Sequence, residues 1–194
     1  MKSAQDIANF FLSHSYGGEM DDLTNLKLQK LLYYTQGYAL AYLARPLFSD
    51  QITAWRHGPV VESVYHSYKQ YGKTPLPALQ NYSLSNFDQD EIFVINKVAS
   101  TYGQYSPWRL RNMTHQENPW LITPQDCYID HNEIRNYFMS IIKETTQPIE
   151  KPFNYDLSRM KKAVEAPTVT VPYFDNDDDF DIWLNNLTDS DFTV

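Results

Sequence analysis

Apolar positions recur at helical spacing through most of the first 144 residues. Ile7, Phe10 and Phe11 form a stripe behind Ser3 and Asp6, which predicts a short helix capped at Ser3. After Gly17-Gly18 comes the longest such signal, LTNLKLQKLLYYTQGYALAYLARP. There Thr24 suits an N-cap, and Leu28, Leu31, Leu32, Thr35, Ala39, Tyr42 and Leu43 form a core face. Tyr34, Tyr38 and Leu40 make the opposite side apolar as well, which predicts a helix at the centre of the fold. Gly37 lies mid-helix, where it costs about 1 kcal/mol against alanine. A close helix crossing accounts for it.

Pro46 ends this helix, and residues 47–55 alternate weakly, as a strand or a hairpin around Ser49-Asp50 would. Pro59 suits the first turn of a following helix, with Val60, Val61, Val64, Tyr65, Tyr68 and Tyr71 on its inner face and Gly72 at its end. Asp88 with Glu91 forms a capping box for a helix carrying Ile92, Ile95, Ala99 and Tyr102. Ser106-Pro107 opens another, reaching about His115. After an ENPW turn, Asp130 and Glu133 cap a last helix with Ile134, Tyr137, Phe138, Ile141 and Ile142 on one face. The pattern predicts a mainly α fold: a compact helical domain over residues 1–144 with a short strand or hairpin insertion.

Beyond Gln147 the periodicity is lost. Pro148, Pro152, Pro167 and Pro172 divide the chain into short pieces, so residues 145–194 read as an extended acidic C-terminal tail. Within it, DNDDDFDIWLNNL places Phe180, Trp183, Leu184 and Leu187 at i, i+3, i+4 and i+7 behind acidic residues that suit a helix N-terminus.

Charge sharpens this division. The chain carries a net charge of −8, and the residues from Thr145 onward hold ten acidic against four basic side chains. An acidic protein is a poor candidate for binding nucleic acid through phosphates, so no direct nucleic-acid contact is expected. The tail's excess points to a basic partner. One cysteine, Cys127, cannot form an internal disulfide, and no run of about 18 apolar residues is available to cross a bilayer. A cytoplasmic protein without membrane attachment is expected.

Candidate chemistry is sparse. Five histidines never fall as HxxxH or HxH, no CxxC is possible, and neither GxSxG nor GxGxxG occurs. No metal or cofactor is therefore expected. What remains is Arg56-His57 and the pair His115 and Glu117. These four could act as acid, base and phosphate clamp in an RNase-like hydrolase. Alternatively they are ties, with Arg56 and His57 at a strand-to-helix junction bonding backbone carbonyls or a carboxylate such as Glu117.

Three segments, LTNLKLQKLLYYTQGYALAYLARPLF, ITAWRHGPVVESVYHSYKQYG and SPWRLRNMTHQENPW, resemble in content and order the Panacea domain (SocA-like) antitoxin family. The resemblance spans about Ser3 to Ile142. It implies an antitoxin module without enzymatic activity, paired with a protein toxin. It also implies that Trp55, Arg56, Gly58, Pro59, His115, Glu117, Pro119 and Trp120 are signature positions that build the domain.

The combined reading is an antitoxin that neutralises a cognate protein toxin by direct binding, the toxin presenting a basic surface or cleft. Asp177, Asp178, Asp179, Phe180, Asp181, Trp183, Leu184 and Leu187 are the expected contacts. A proteolytic adaptor that delivers the toxin to a protease, or a hydrolase using Arg56, His57, His115 and Glu117, stay open as alternatives. Self-association into a homo-oligomer also stays open.

Overall fold

The longest periodic segment becomes the axis of the fold in the computed structural model, which describes residues 2–14, 23–80, 82–83 and 85–146. The element order is α1 (Ala4–His14), α2 (Asn25–Tyr42), β1 (Thr53–Trp55), β2 (Gly58–Val60), α3 (Glu62–Tyr68), α4 (Gln89–Tyr102), α5 (Pro107–Thr114), α6 (Asn118–Leu121) and α7 (His131–Thr146). A single 3-10 turn, Lys69–Tyr71, extends α3. The architecture is mainly helical with one two-stranded antiparallel hairpin. Residues 147–194, which include the proposed toxin contacts Asp177 to Leu187, lie outside the described residues.

Helix starts follow the capping chemistry written in the sequence. Ser3 and Asp6 bond reciprocally at α1, and Thr24 Oγ1 accepts from Lys27 N at α2. The Asp88–Glu91 capping box opens α4, and Ser106 with Pro107 opens α5. Asp130 Oδ1 accepts the Asn132 and Glu133 amides at the start of α7. Each side-chain acceptor satisfies an amide that has no partner inside its helix.

Helix α2 packs against α1, α3, α4, α5, α7 and β2, and Lys27 to Leu40 are buried without interruption. A Cβ at Gly37 would overlap the Phe138 ring, so the glycine is what lets α7 lie against α2. Aromatic rings fill the space around that crossing. Tyr34 stacks on Tyr102 at 3.9 Å, and Tyr33 and Tyr38 meet the Phe138 ring edge-to-face at 5.7 and 5.1 Å.

Three local expectations are corrected. The hairpin turns at Arg56-His57, not at Ser49-Asp50; Asp50 instead accepts from Ala4 N at 2.9 Å and Ser63 Oγ at 2.8 Å, tying the connector to two helix starts. Pro59 lies in β2 opposite Ala54, and α3 begins only at Glu62. Proline is tolerated there because Ala54 spends both its backbone groups on the other side: its amide donates to Cys127 O at 2.9 Å and its carbonyl accepts from Asp126 N at 2.8 Å. Tyr42, read as core, is 42% exposed, because the last turn of α2 runs to the edge of the fold and meets exposed Phe93.

Gly37→Ala should destabilise the fold by about 1–3 kcal/mol through overpacking. A second change, Phe138→Leu, should recover part of that loss by vacating the ring's space. Urea unfolding of the single and double variants measures both effects; a Gly37→Ala protein as stable as its parent contradicts this packing.

Candidate functional site

The hairpin turn places its chemistry at the junction of α2, α5 and α6. Arg56 and His57 form the two-residue loop and keep ordinary negative φ, while Gly58 takes φ of 93°. That value closes the turn with the right-handed twist of the strands and suits glycine. Space demands glycine too, since a Cβ here would lie 2.7 Å from Lys30 Nζ and 2.7 Å from Thr114 Oγ1.

Backbone carbonyls of the turn are the anchoring groups. His115 Nε2 lies 2.9 Å from Arg56 O, and its Nδ1 lies 2.7 Å from Arg111 O. Trp120 Nε1 donates to Trp55 O at 3.1 Å, and the His115 and Trp120 rings pack with centroids 3.9 Å apart. Lys30 Nζ donates to Pro59 O at 2.8 Å. Three successive elements of the signature, Trp55-Arg56, Pro59 and His115 to Trp120, thus meet through side-chain bonds to one short turn. The Arg56 and His57 side chains are exposed, and Arg56 contributes its carbonyl rather than its guanidinium to the junction.

Behind the turn lies a buried polar core. Glu117, at the N-terminal flank of α6, is buried, and its Oε1 accepts from Tyr34 Oη at 2.8 Å. The Tyr33 hydroxyl lies near the same carboxyl without closing a bond of good geometry, which leaves Glu117 Oε2 without a partner among the described residues. Burial raises the Glu117 carboxyl to about 7, against the opposing hydrogen bond from Tyr34, the nearby Tyr33 hydroxyl and the charge of Lys30. Lys30, fully buried, is pushed well below the ordinary lysine range, first by burial and then by Arg111, with Glu117 pulling the other way. His57 and His115 are also lowered, both first by burial.

This geometry does not bring Arg56, His57, His115 and Glu117 to one accessible reacting point. The nitrogens of His115 both face backbone carbonyls, Glu117 points into the interior at Tyr34, and His57 stands on the surface with its ring 6.1 Å from that of Trp108. Among the described residues no group of three or more His, Cys, Asp or Glu side chains is placed to hold a metal, and no helix is long and apolar enough to cross a membrane.

Lys30, Gln29, Tyr33 and Tyr34 were not singled out from sequence as site residues. Their signal was present, as polar groups inside a segment apolar on both sides. A second feature was also missed. On the outer side of the turn is a groove of about 620 Å³, floored by Trp55, Tyr65 and Trp108 and edged by Arg56, Lys69 and Lys73.

Comparison with known proteins adds to this geometry. The family model described as Antitoxin SocA-like, Panacea domain matches residues 28–121, a stretch that runs from α2 through α6 and includes the whole junction. Over 128 residues the chain is 31% identical to Antitoxin SocA of Caulobacter vibrioides, covering 60% of this chain and 68% of that protein. No solved structure matches the chain.

The Glu117 carboxyl supplies a pH test. Below its ordinary value of 4.5 it is protonated whether the chain is folded or not. Between 4.5 and about 7 the unfolded chain releases a proton that the folded chain keeps, so this group's contribution to stability falls as pH rises. Relative to wild type, Glu117→Gln should therefore gain stability as pH rises through that window, as read from urea midpoints. A stability difference that stays constant across the window contradicts the raised carboxyl.

Proposed function

We propose, on the premise that this chain belongs to the antitoxin SocA-like, Panacea-domain family, that it neutralises a cognate protein toxin by direct protein–protein binding. Residues 1–144 act as the scaffold and residues 145–194 as the toxin-binding extension. The observation that carries this reading is the inward use of the signature. His115, Glu117 and Trp120 are engaged in bonds that hold a turn and a buried carboxyl, as befits a scaffold rather than a reaction centre.

Recognition then falls to chemistry outside that junction. Asp177, Asp178, Asp179 and Asp181 supply a dense negative charge, and Phe180, Trp183, Leu184 and Leu187 would share one face of a helix. A free helix this short is marginal in water, so laying its apolar face on a partner would be the stabilising step. Charge steers the encounter with a basic toxin surface, while buried aromatic anchors set the lifetime of the complex.

Removing residues 168–194 should leave a folded body that no longer protects cells against the toxin, taken as the toxic product of the adjacent gene. Trp183→Ala should weaken the complex by about 2 kcal/mol or more, as a central aromatic anchor does. Titration calorimetry of the two proteins reads the affinity, and growth rescue reads protection. A truncated chain that protects as well as the full one assigns toxin binding to the body. Protection that disappears in a protease-deficient strain, with toxin accumulating, assigns the proteolytic-adaptor route instead.

A further inference from the structure

The groove beside the hairpin turn has a composition that the scaffold role does not explain. Its floor is aromatic: Trp55 meets Tyr65 edge-to-face at 4.9 Å, and Trp108 remains 36% exposed. Arg56, Lys69 and Lys73 stand exposed at its edge, and among the described residues none of the three forms an ion pair. Asp126 is the one carboxylate in its lining.

Helix ends add to this positive potential. The first turn of α2, through Thr24 and Asn25, and the first turn of α5, through Pro107 and Trp108, both line the groove. Neither carries an acidic residue in that turn, whereas α1, α3, α4 and α7 each do. Among the described residues, two helix N-termini with no acidic side chain in their first turn therefore add to three cations that form no ion pair.

The occupant is narrowed by what the groove lacks. Its buried side-chain amides are already engaged within the fold: Asn25 Nδ2 donates to Tyr65 O, and Gln29 bonds Asn25 and the Val61 amide, while exposed Gln125 reaches only Asp126 Oδ2, at 3.4 Å. Recognition therefore rests on positive charge together with apolar burial against the aromatic rings. A chain of net charge −8 also repels a long polyanion, which disfavours single-stranded nucleic acid. A peptide segment with a few carboxylates and an aromatic or aliphatic anchor fits both requirements.

We infer that this groove docks an acidic, aromatic-bearing segment of the partner protein, giving the chain a second contact of opposite charge to its acidic extension. The inference rests on the antitoxin reading for the partner's identity. Two linked contacts of opposite sign would raise the lifetime of the complex beyond that of either alone, and would reject partners that carry only one of the matching patches.

The test uses the full chain and a fluorescein-labelled synthetic peptide rich in aspartate with one phenylalanine. Comparison probes are the same peptide with asparagine for aspartate and a short single-stranded oligonucleotide. Fluorescence anisotropy should show binding of the acidic peptide alone. The exposed pair Lys69→Glu and Lys73→Glu should weaken it by about tenfold or more. Trp108→Ala should weaken it comparably, with circular dichroism and melting temperature unchanged in both variants. Absence of peptide binding, indifference to charge reversal, or tighter binding of the oligonucleotide would each overturn the inference. So would tryptophans already shielded from a soluble quencher in the partner-free chain, since the occupant would then be the chain itself. Growth rescue separates this from the antitoxin reading. Rescue by wild type with unchanged peptide affinity in the charge-reversed variant sinks the groove alone. Charge-dependent peptide capture by a chain that rescues no growth sinks the antitoxin reading alone.

Discussion

The structure depends on one constraint: a helix buried on every side must still supply hydrogen bonds to the irregular chain around it. Apolar burial makes α2 the centre, and the connectors packed on it carry backbone groups that cannot reach water. Polar side chains on α2 meet that need at intervals. Gln29 receives the Val61 amide and Lys30 reaches Pro59 O. Gln36 bridges Leu47 and Phe48, accepting both amides and donating to the Phe48 carbonyl. Each of these bonds fixes a segment that no helix or wide sheet would hold. Leaving any such partner buried and unpaired costs about 1–3 kcal/mol, so these positions are polar for structural reasons.

The hairpin turn follows from the same constraint. Two strands of three residues cannot stand alone in water. They are held from one side by Lys30 and from the other by the 126–129 segment, whose backbone bonds Ile52 and Ala54. His115 and Trp120 then clamp the turn's carbonyls. The signature thus works as a set of bonds converging on one turn, and the groove outside it exists because that turn is fixed. The stretch that matches the antitoxin SocA-like, Panacea-domain family includes this whole junction.

Much of this was legible in the sequence because it is local. Caps at Ser3, Thr24, Asp88, Ser106 and Asp130 set helix starts, and each helix begins within a residue or so of its cap. Gly37 announced a close crossing before its partner, Phe138, was known. What escaped was non-local. A proline before a helical pattern reads as a first helical turn, and only the pairing of Ala54 with Cys127 and Asp126 reveals that β2 needs no donor at Pro59. Arg56 looked like a side-chain tie, yet its carbonyl makes the bond. The groove could not be read at all, since Trp55, Lys69 and Trp108 are brought together by three different elements.

On this reading the signature residues hold a scaffold together, and recognition falls to surfaces outside their buried junction. Amide hydrogen exchange on the complex with the adjacent gene's toxic product tests this most directly. New protection is expected at residues 69–73 and 175–187, with exchange in the interior of α2 and at 114–120 unchanged from the free chain. New protection confined to 114–120, with residues 69–73 and 175–187 exchanging as before, would contradict it and make the signature itself the binding surface.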